Sequence, residues 1–273
     1  MQPWWGTFAL DEEQAGRWTM GPTTLWVFRT AQEWRVLYRA EGDPLRGDSE
    51  VVVPIDDEAW RAVEAEADGD ASIKRQRHSF RSTQRRLSLH PLTADRPVVV
   101  RPEHPLSVPA GEAVTLYVST PLWIRIETDT TPLQDVPSHR PSDTWFGPST
   151  REGELCYASR TAGRVRLANL PLRMHRAVTP LHVRNRADEP LPLERVQVPT
   201  QYLALYRTND DLLWTERLTV DRARSDAGAE VHIESGPPDD VAGATRVQEP
   251  RENLKKGLVV NTFRAIEALF GSG

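Results

Sequence analysis

The chain has 273 residues, 38% of them hydrophobic and 27% charged, with a formal net charge of -5, a length that suits two domains or one large β domain. No run approaches the ~18 consecutive apolar residues of a membrane span, and the mild negative charge argues against nucleic acid as a partner, since non-specific binding depends on neutralising phosphates. Met1-Gln2-Pro3-Trp4-Trp5-Gly6 lacks the basic and apolar regions of a signal peptide and Cys156 is the only cysteine, so no intramolecular disulfide forms and the chain reads as cytoplasmic.

Residues 25–28 (Leu-Trp-Val-Phe) and 34–38 (Trp-Arg-Val-Leu-Tyr) are rich in aromatic and β-branched side chains and flank a short polar segment. They predict the two arms of a hairpin. A strand follows at 50–53. Between 58 and 67, Trp60, Val63 and Ala67 share one helical face, with Asp56 or Asp57 as the N-cap and Gly69 as the stop. The run from Lys74 to Arg86 carries six basic residues and fits an exposed edge strand guarded by charge. The acidic stretch just upstream, 58–70, is placed to neutralise part of it.

From Leu87 the strand signals become dense. Residues 87–89 and 98–100 are short strands, and 109–112 (Pro-Ala-Gly-Glu) is a turn. Val114, Leu116 and Val118 then face one way, and Leu122, Ile124 and Ile126 alternate with polar or large neighbours, as in half-buried antiparallel strands. Further strands are expected at 155–158, 164–167, 181–185, 195–198, 202–206, 218–220 and 230–233. The 22 prolines and 16 glycines are scattered along the chain and punctuate these strands. The fold class that follows is all-β: antiparallel β-sandwich, immunoglobulin-like, with one short helix in the first half. Most of the 9 tryptophans are expected in the core.

Residues 236–252 are polar and rich in Pro, Gly and Asp, and read as a linker. Beyond them Val259, Phe263, Ile266 and Phe270, widened by Leu269, form an apolar stripe at helical spacing. This C-terminal amphipathic helix either docks on the body or is offered to a partner. The domain organisation expected is therefore an N-terminal subdomain over 1–86, a β-sandwich over 87–235, a linker over 236–253 and the helix over 254–273.

The 7 histidines make no close ligand pair, and no phosphate-binding glycine loop or nucleophile elbow is present. No cofactor, metal or catalytic residue is therefore assigned. Cys156, between Leu155 and Tyr157, reads as a buried small hydrophobe. The richest segment is 138–154, a long polar stretch between two strand regions. Its Arg140, Asp143, Trp145, Ser149, Arg151 and Glu154 suit a small anionic ligand: guanidinium groups for bidentate contacts, hydroxyls and turn amides as donors, and an aromatic wall. The competing arrangement is an Ω-like structural loop, with Trp145 and Phe146 in the core and Arg151 paired to Glu154 or Asp143.

The run Ser142-Asp143-Thr144-Trp145-Phe146-Gly147-Pro148-Ser149-Thr150-Arg151-Glu152-Gly153-Glu154-Leu155-Cys156-Tyr157-Ala158 resembles the prokaryotic domain of unknown function family 432. So do Thr120-Pro121-Leu122-Trp123, and Asn185-Arg186 followed by Glu189-Pro190-Leu191-Pro192-Leu193-Glu194-Arg195. The resemblance covers most of residues 88–235. It implies no catalytic residues, and only a weak association with small mechanosensitive channels of the inner membrane.

Two functions lead the expectations, with a structural protein whose β edges assemble into an oligomer as a third. The first is a cytoplasmic binding or adaptor module whose loop or tail engages a protein or a small anionic ligand, without membrane insertion. The second is an enzyme acting on an anionic or carbohydrate-like substrate, with Asp143, Glu152 or Glu154 as acid and base and Arg140 or Arg151 holding the anion.

Overall fold

A computed structural model describes residues 3–129, 131–147, 151, 153–222 and 229–253. Within them the chain forms 22 strands, one α-helix of 13 residues and three short 3-10 turns, so the β-rich class expected from the alternation is correct. The expected C-terminal helix lies outside the described residues. No helix among the described residues is long and apolar enough to cross a membrane.

The chain divides into two compact units, each assembled from separated segments. The first takes residues 1–92, 122–140 and 173–175; the second takes 93–121, 141–172 and 176–273. The boundary expected after residue 86 falls inside the strand Arg86–Leu92. That strand pairs with Trp123–Thr128, a segment that returns to the first unit from later in the chain.

In the first unit five antiparallel strands run in the order Ser49–Ile55, Gln14–Met20, Thr23–Arg29, Glu33–Ala40, Lys74–Ser79. The expected hairpin is there, with Leu25 opposite Tyr38 and Phe28 opposite Arg35. Its first strand is central and covered on both faces, which is why Leu25-Trp26-Val27-Phe28 is apolar throughout. Trp26 and Phe28 point to the helix Asp57–Gly69, where Phe28 stacks on Trp60 at 4.7 Å, and Val63 of the helix with Ala15, Leu37 and Ile73 completes the cluster. Asp56 is the N-cap, its Oδ1 accepting the Ala59 amide at 2.7 Å. Trp18, on the adjacent strand, meets Phe8 edge-on at 5.1 Å. Phe8 belongs to the unit's other sheet, ordered Gly6–Ala9, Arg86–Leu92, Trp123–Thr128, Thr131–Pro137. The turn between Gln14–Met20 and Thr23–Arg29 requires Gly21. Its φ is +59°, and a Cβ there would lie 2.4 Å from the His175 ring.

Lys74–Ser79 is an exposed basic edge strand, covering only the first part of the 74–86 run, and the acidic stretch meets it through Arg75 and meets the adjoining strand Glu33–Ala40 through Arg35 and Arg39. Arg75 reaches Asp68 at 2.9 Å, Arg35 reaches Glu64 at 2.7 Å and Arg39 reaches Glu66 at 2.6 Å. Glu33, with its side chain 12% exposed, sits between Arg35 and Arg77 and accepts from both. The Arg77 hydrogen bond is the main reason its carboxyl is held down to about 2; Arg35 adds to it. A depressed folded pKa stabilises only the ionised form. The contribution is complete above the ordinary glutamate value of 4.5 and disappears as pH falls towards 2. Glu33→Gln is therefore expected to lower stability by about 1–2 kcal/mol at pH 7, the exposed Arg77 keeping the figure modest. The difference in urea midpoint between the two proteins should shrink steadily below pH 4.5. A pH-independent difference would remove the ion pairs as its cause.

The second unit holds a seven-stranded sheet around the long strand Arg176–Asn185, which pairs with Ala113–Pro121, Leu218–Arg222 and Leu213–Trp214. A four-stranded sheet runs Ser142–Phe146, Glu154–Gly163, Val98–Pro102, Val196–Val198, and Leu106–Val108 pairs with Leu191–Leu193. The expectation of purely antiparallel sheets needs correction here. Arg176–Asn185 pairs in parallel with Leu218–Arg222 and Leu213–Trp214, and Glu154–Gly163 does so with Val98–Pro102. Arg176, 3% exposed, donates to the Ser119 hydroxyl and carbonyl and to Thr161 Oγ1. These contacts fix its guanidinium between strands.

Three local expectations also change. Residues 164–167 hold a single bridge, Arg164 to Tyr117, followed by the 3-10 turn Leu167–Asn169. Thr200–Tyr202 is another 3-10 turn, and the strand begins at Leu205. Residues 236–253 are no linker. Thr245–Gln248 pairs with Leu205–Arg207, Arg251 Nε donates to the Thr93 carbonyl at 2.6 Å, and the Glu252 amide donates to the Gln201 carbonyl at 3.0 Å. Thr245-Arg246-Val247-Gln248 is an edge strand held by backbone hydrogen bonds, so its composition looks like a loop's.

Candidate functional site

The segment 138–154 is a hairpin arm and tip rather than a long loop. Ser142–Phe146 pairs antiparallel with Glu154–Gly163, from Ser142 opposite Ala158 to Phe146 opposite Glu154. Residues directly opposite share a face and successive residues alternate. Asp143, Trp145, Leu155 and Tyr157 therefore lie on one face, and Thr144, Phe146, Glu154 and Cys156 on the other.

The structural arrangement anticipated for this segment is correct for Phe146 and not for Trp145. Phe146 is buried at 1% exposure, while Trp145 is 42% exposed and stands opposite Leu155, 44% exposed. The other eight tryptophans are all at 8% or less. Gly153 lets the indole lie flat on the tip: a Cβ there would come within 2.7 Å of Trp145 Nε1 and 2.6 Å of the Phe146 carbonyl. The Trp145 ring thus occupies space that any side chain at position 153 would need. Arg96 lies over the Tyr157 ring at 5.5 Å and reaches Asp143 at 3.5 Å, and the Tyr157 hydroxyl donates to Asp95 at 3.0 Å. The exposed apolar pair therefore has a charged border on one side.

On the opposite face Glu154 accepts from Gln197 Nε2 at 2.7 Å, and that same amide lies 3.4 Å from Cys156 Sγ. Arg195 covers the Phe146 ring at 5.4 Å. Cys156 is buried, as its apolar neighbours suggested. Burial, with Glu154 nearby, pushes its thiol up to about 12, far from a nucleophile's range. Asp143 and Glu154, offered above as acid and base, project from opposite faces of the hairpin and do not converge. Arg140 is exposed and belongs to the first unit, while Arg151 is exposed at the tip. Ser149 and Glu152 lie outside the described residues, as do Val259, Phe263, Ile266 and Phe270.

Strand reading by itself overlooked a polar face on the seven-stranded sheet. The register sets Thr115, His182, Thr219 and His232 in one row across four strands, and Arg184, Asp221 and Glu230 in the next. Thr115 Oγ1 lies 3.0 Å from His182 Nδ1, and the Tyr117 hydroxyl donates to Asp240 at 2.7 Å. Burial, together with Arg184 and Arg217, lowers His182 below the usual histidine range. Burial and then Asp240 push Tyr117 up to about 12. The signal was present in the alternation of 181–185 and 218–222, where the apolar residues were read and the polar ones between them were not.

A family model described as "Protein of unknown function (DUF432)" matches residues 4–267. No curated protein and no solved structure matches the chain.

Proposed function

We propose that this chain, which belongs to the family described as Protein of unknown function (DUF432), is a binding or adaptor module that captures a protein partner on the hairpin carrying Trp145 and Leu155. The observation that carries this reading is the contrast among the tryptophans: eight are buried, and the ninth is exposed across from an exposed leucine. A large aromatic held on a rigid strand loses little entropy on binding, and such residues are enriched among interface hot spots. The bordering Arg96 and Asp143 supply the polar rim that protein interfaces carry. In this reading the β-rich body works as immunoglobulin-like modules do, presenting a hairpin tip from packed sheets. Cytoplasmic residence belongs to the same proposal.

The test is affinity capture from cell extract with the full-length protein and its Trp145→Ser/Leu155→Ser variant, followed by mass spectrometry and titration of the captured protein. Both side chains are exposed, so the variant should melt within about 0.5 kcal/mol of the parent. The affinity should fall by about 2–4 kcal/mol, the usual size of a hot-spot loss. A partner retained at full affinity by the variant would end this reading.

A further inference from the structure

The polar sheet face runs out into an open depression of about 910 Å³ at one end of the second unit. Residues 110–113, from the turn before Ala113–Pro121, form one wall, and 184–188 form the other. Arg184 and Arg186, two residues apart, direct their Nε atoms at one oxygen, Asp221 Oδ1, at 2.8 and 3.3 Å. Asp221 is only 15% exposed, whereas the two arginines are 40% and 58% exposed. The contacts are close without being aligned as hydrogen bonds. The aspartate thus gathers the two guanidinium groups without using their outer edges, and among the described residues their Nη groups donate no hydrogen bond.

Two adjacent guanidinium edges present more donors than the two oxygens of a carboxylate can take, and they match the three outer oxygens of a phosphoryl group. Glu112 and Asp188 line the same depression. Their charge opposes a bare phosphate, but carboxylates accept hydrogen bonds from hydroxyl groups. Small Gly111 and Ala113 leave room between the two kinds of group, and the volume lies in the range of small-molecule sites. We infer that this depression binds a hydroxylated organic phosphate, of the sugar-phosphate class. Arg184 and Arg186 hold the phosphoryl group, Glu112 and Asp188 accept from the hydroxyls, and Asp221 positions the arginines. The inference is independent of the hairpin surface and stands or falls separately from it.

Calorimetric titration of the full chain with ribose 5-phosphate, ribose and inorganic phosphate tests this. Ribose 5-phosphate should saturate, about 10-fold tighter than inorganic phosphate, while ribose gives no heat. Arg184→Gln/Arg186→Gln should weaken ribose 5-phosphate by about 10-fold or more. Glu112→Gln/Asp188→Asn should narrow the gap between ribose 5-phosphate and inorganic phosphate by tightening the latter. Circular dichroism checks that each variant is folded, and the second pair reads the same site should the first fail to fold. No saturation by ribose 5-phosphate overturns the inference, as does an unchanged affinity in the arginine variant. Equal affinity for inorganic phosphate overturns the sugar assignment.

Discussion

Replacing Asn185 with alanine should destabilise the protein by about 3 kcal/mol, the combined effect of several buried groups losing a partner at once. Asn185 ends the strand Arg176–Asn185 and is 1% exposed. Its Nδ2 donates to the carbonyls of Val108, Pro109 and Glu189 at 2.9, 3.1 and 2.7 Å, and its Oδ1 accepts the Ala187 amide at 3.2 Å. The main chain of Asn185 also exchanges hydrogen bonds with Gly111 and Glu112. One side chain therefore ties the distant segment at Val108 and Pro109 to the turn at 187–189 that follows its own strand. Asn185→Asp keeps the shape but turns a carboxylate towards three carbonyl oxygens. Only the protonated acid donates there, so its folded pKa must lie above its unfolded value near 4. The sign follows: Asn185→Asp is least damaging below about pH 4 and loses further stability as pH rises to 7. Denaturant midpoints at both pH values check this. Equal stability of the aspartate variant and the parent at pH 7 would show that the side chain is not bound as described.

Arg29→Met should cost about 3 kcal/mol in the first unit. Arg29 is 9% exposed at the end of the central strand Thr23–Arg29. Its Nε donates to Thr83 Oγ1 at 2.9 Å, its Nη2 to the Thr83 carbonyl at 2.9 Å and its Nη1 to the Leu10 carbonyl at 3.2 Å. Methionine preserves the aliphatic stem and removes all three donors, stranding buried carbonyls. Lysine should rescue little, because one ammonium cannot span acceptors that the planar fork reaches from three positions. By contrast Arg85→Met, at the exposed pair with Asp11, should change stability by no more than about 0.5 kcal/mol. Equal urea midpoints for Arg29→Met and Arg85→Met would contradict this account.

Legibility in the sequence followed the range of the interactions. The helix over 57–69 was readable because its N-cap and the spacing of Trp60 and Val63 act within a few residues, although it is capped at Asp70 and takes in Gly69, the residue expected to stop it. The hairpin around Leu25 and Trp34 was readable because its partner strands are adjacent and strongly aromatic. The edge strand Thr245–Gln248 was missed for the opposite reason: its partner, Leu205–Arg207, lies some forty residues earlier, and its own composition is polar. The strand Ser142–Phe146 was missed because Pro141, Ser142 and Asp143 look like turn chemistry, although backbone pairing with Glu154–Gly163 tolerates them at a sheet edge.

The candidate sites divide in the same way. Residues 138–154 drew notice by composition, and Trp145, Asp143 and Glu154 were all within that window. Composition could not say that Trp145 faces out and Phe146 in, nor that Asp143 and Glu154 point apart. A one-residue change of register would exchange the faces, and register is set by the partner strand. Alternation and capping, which are local, determined that this is a β-rich protein with one early helix. Register and parallel pairing, which join residues far apart in the chain, decided the rest. They exposed one tryptophan of nine and brought Arg184, Arg186 and Asp221 together.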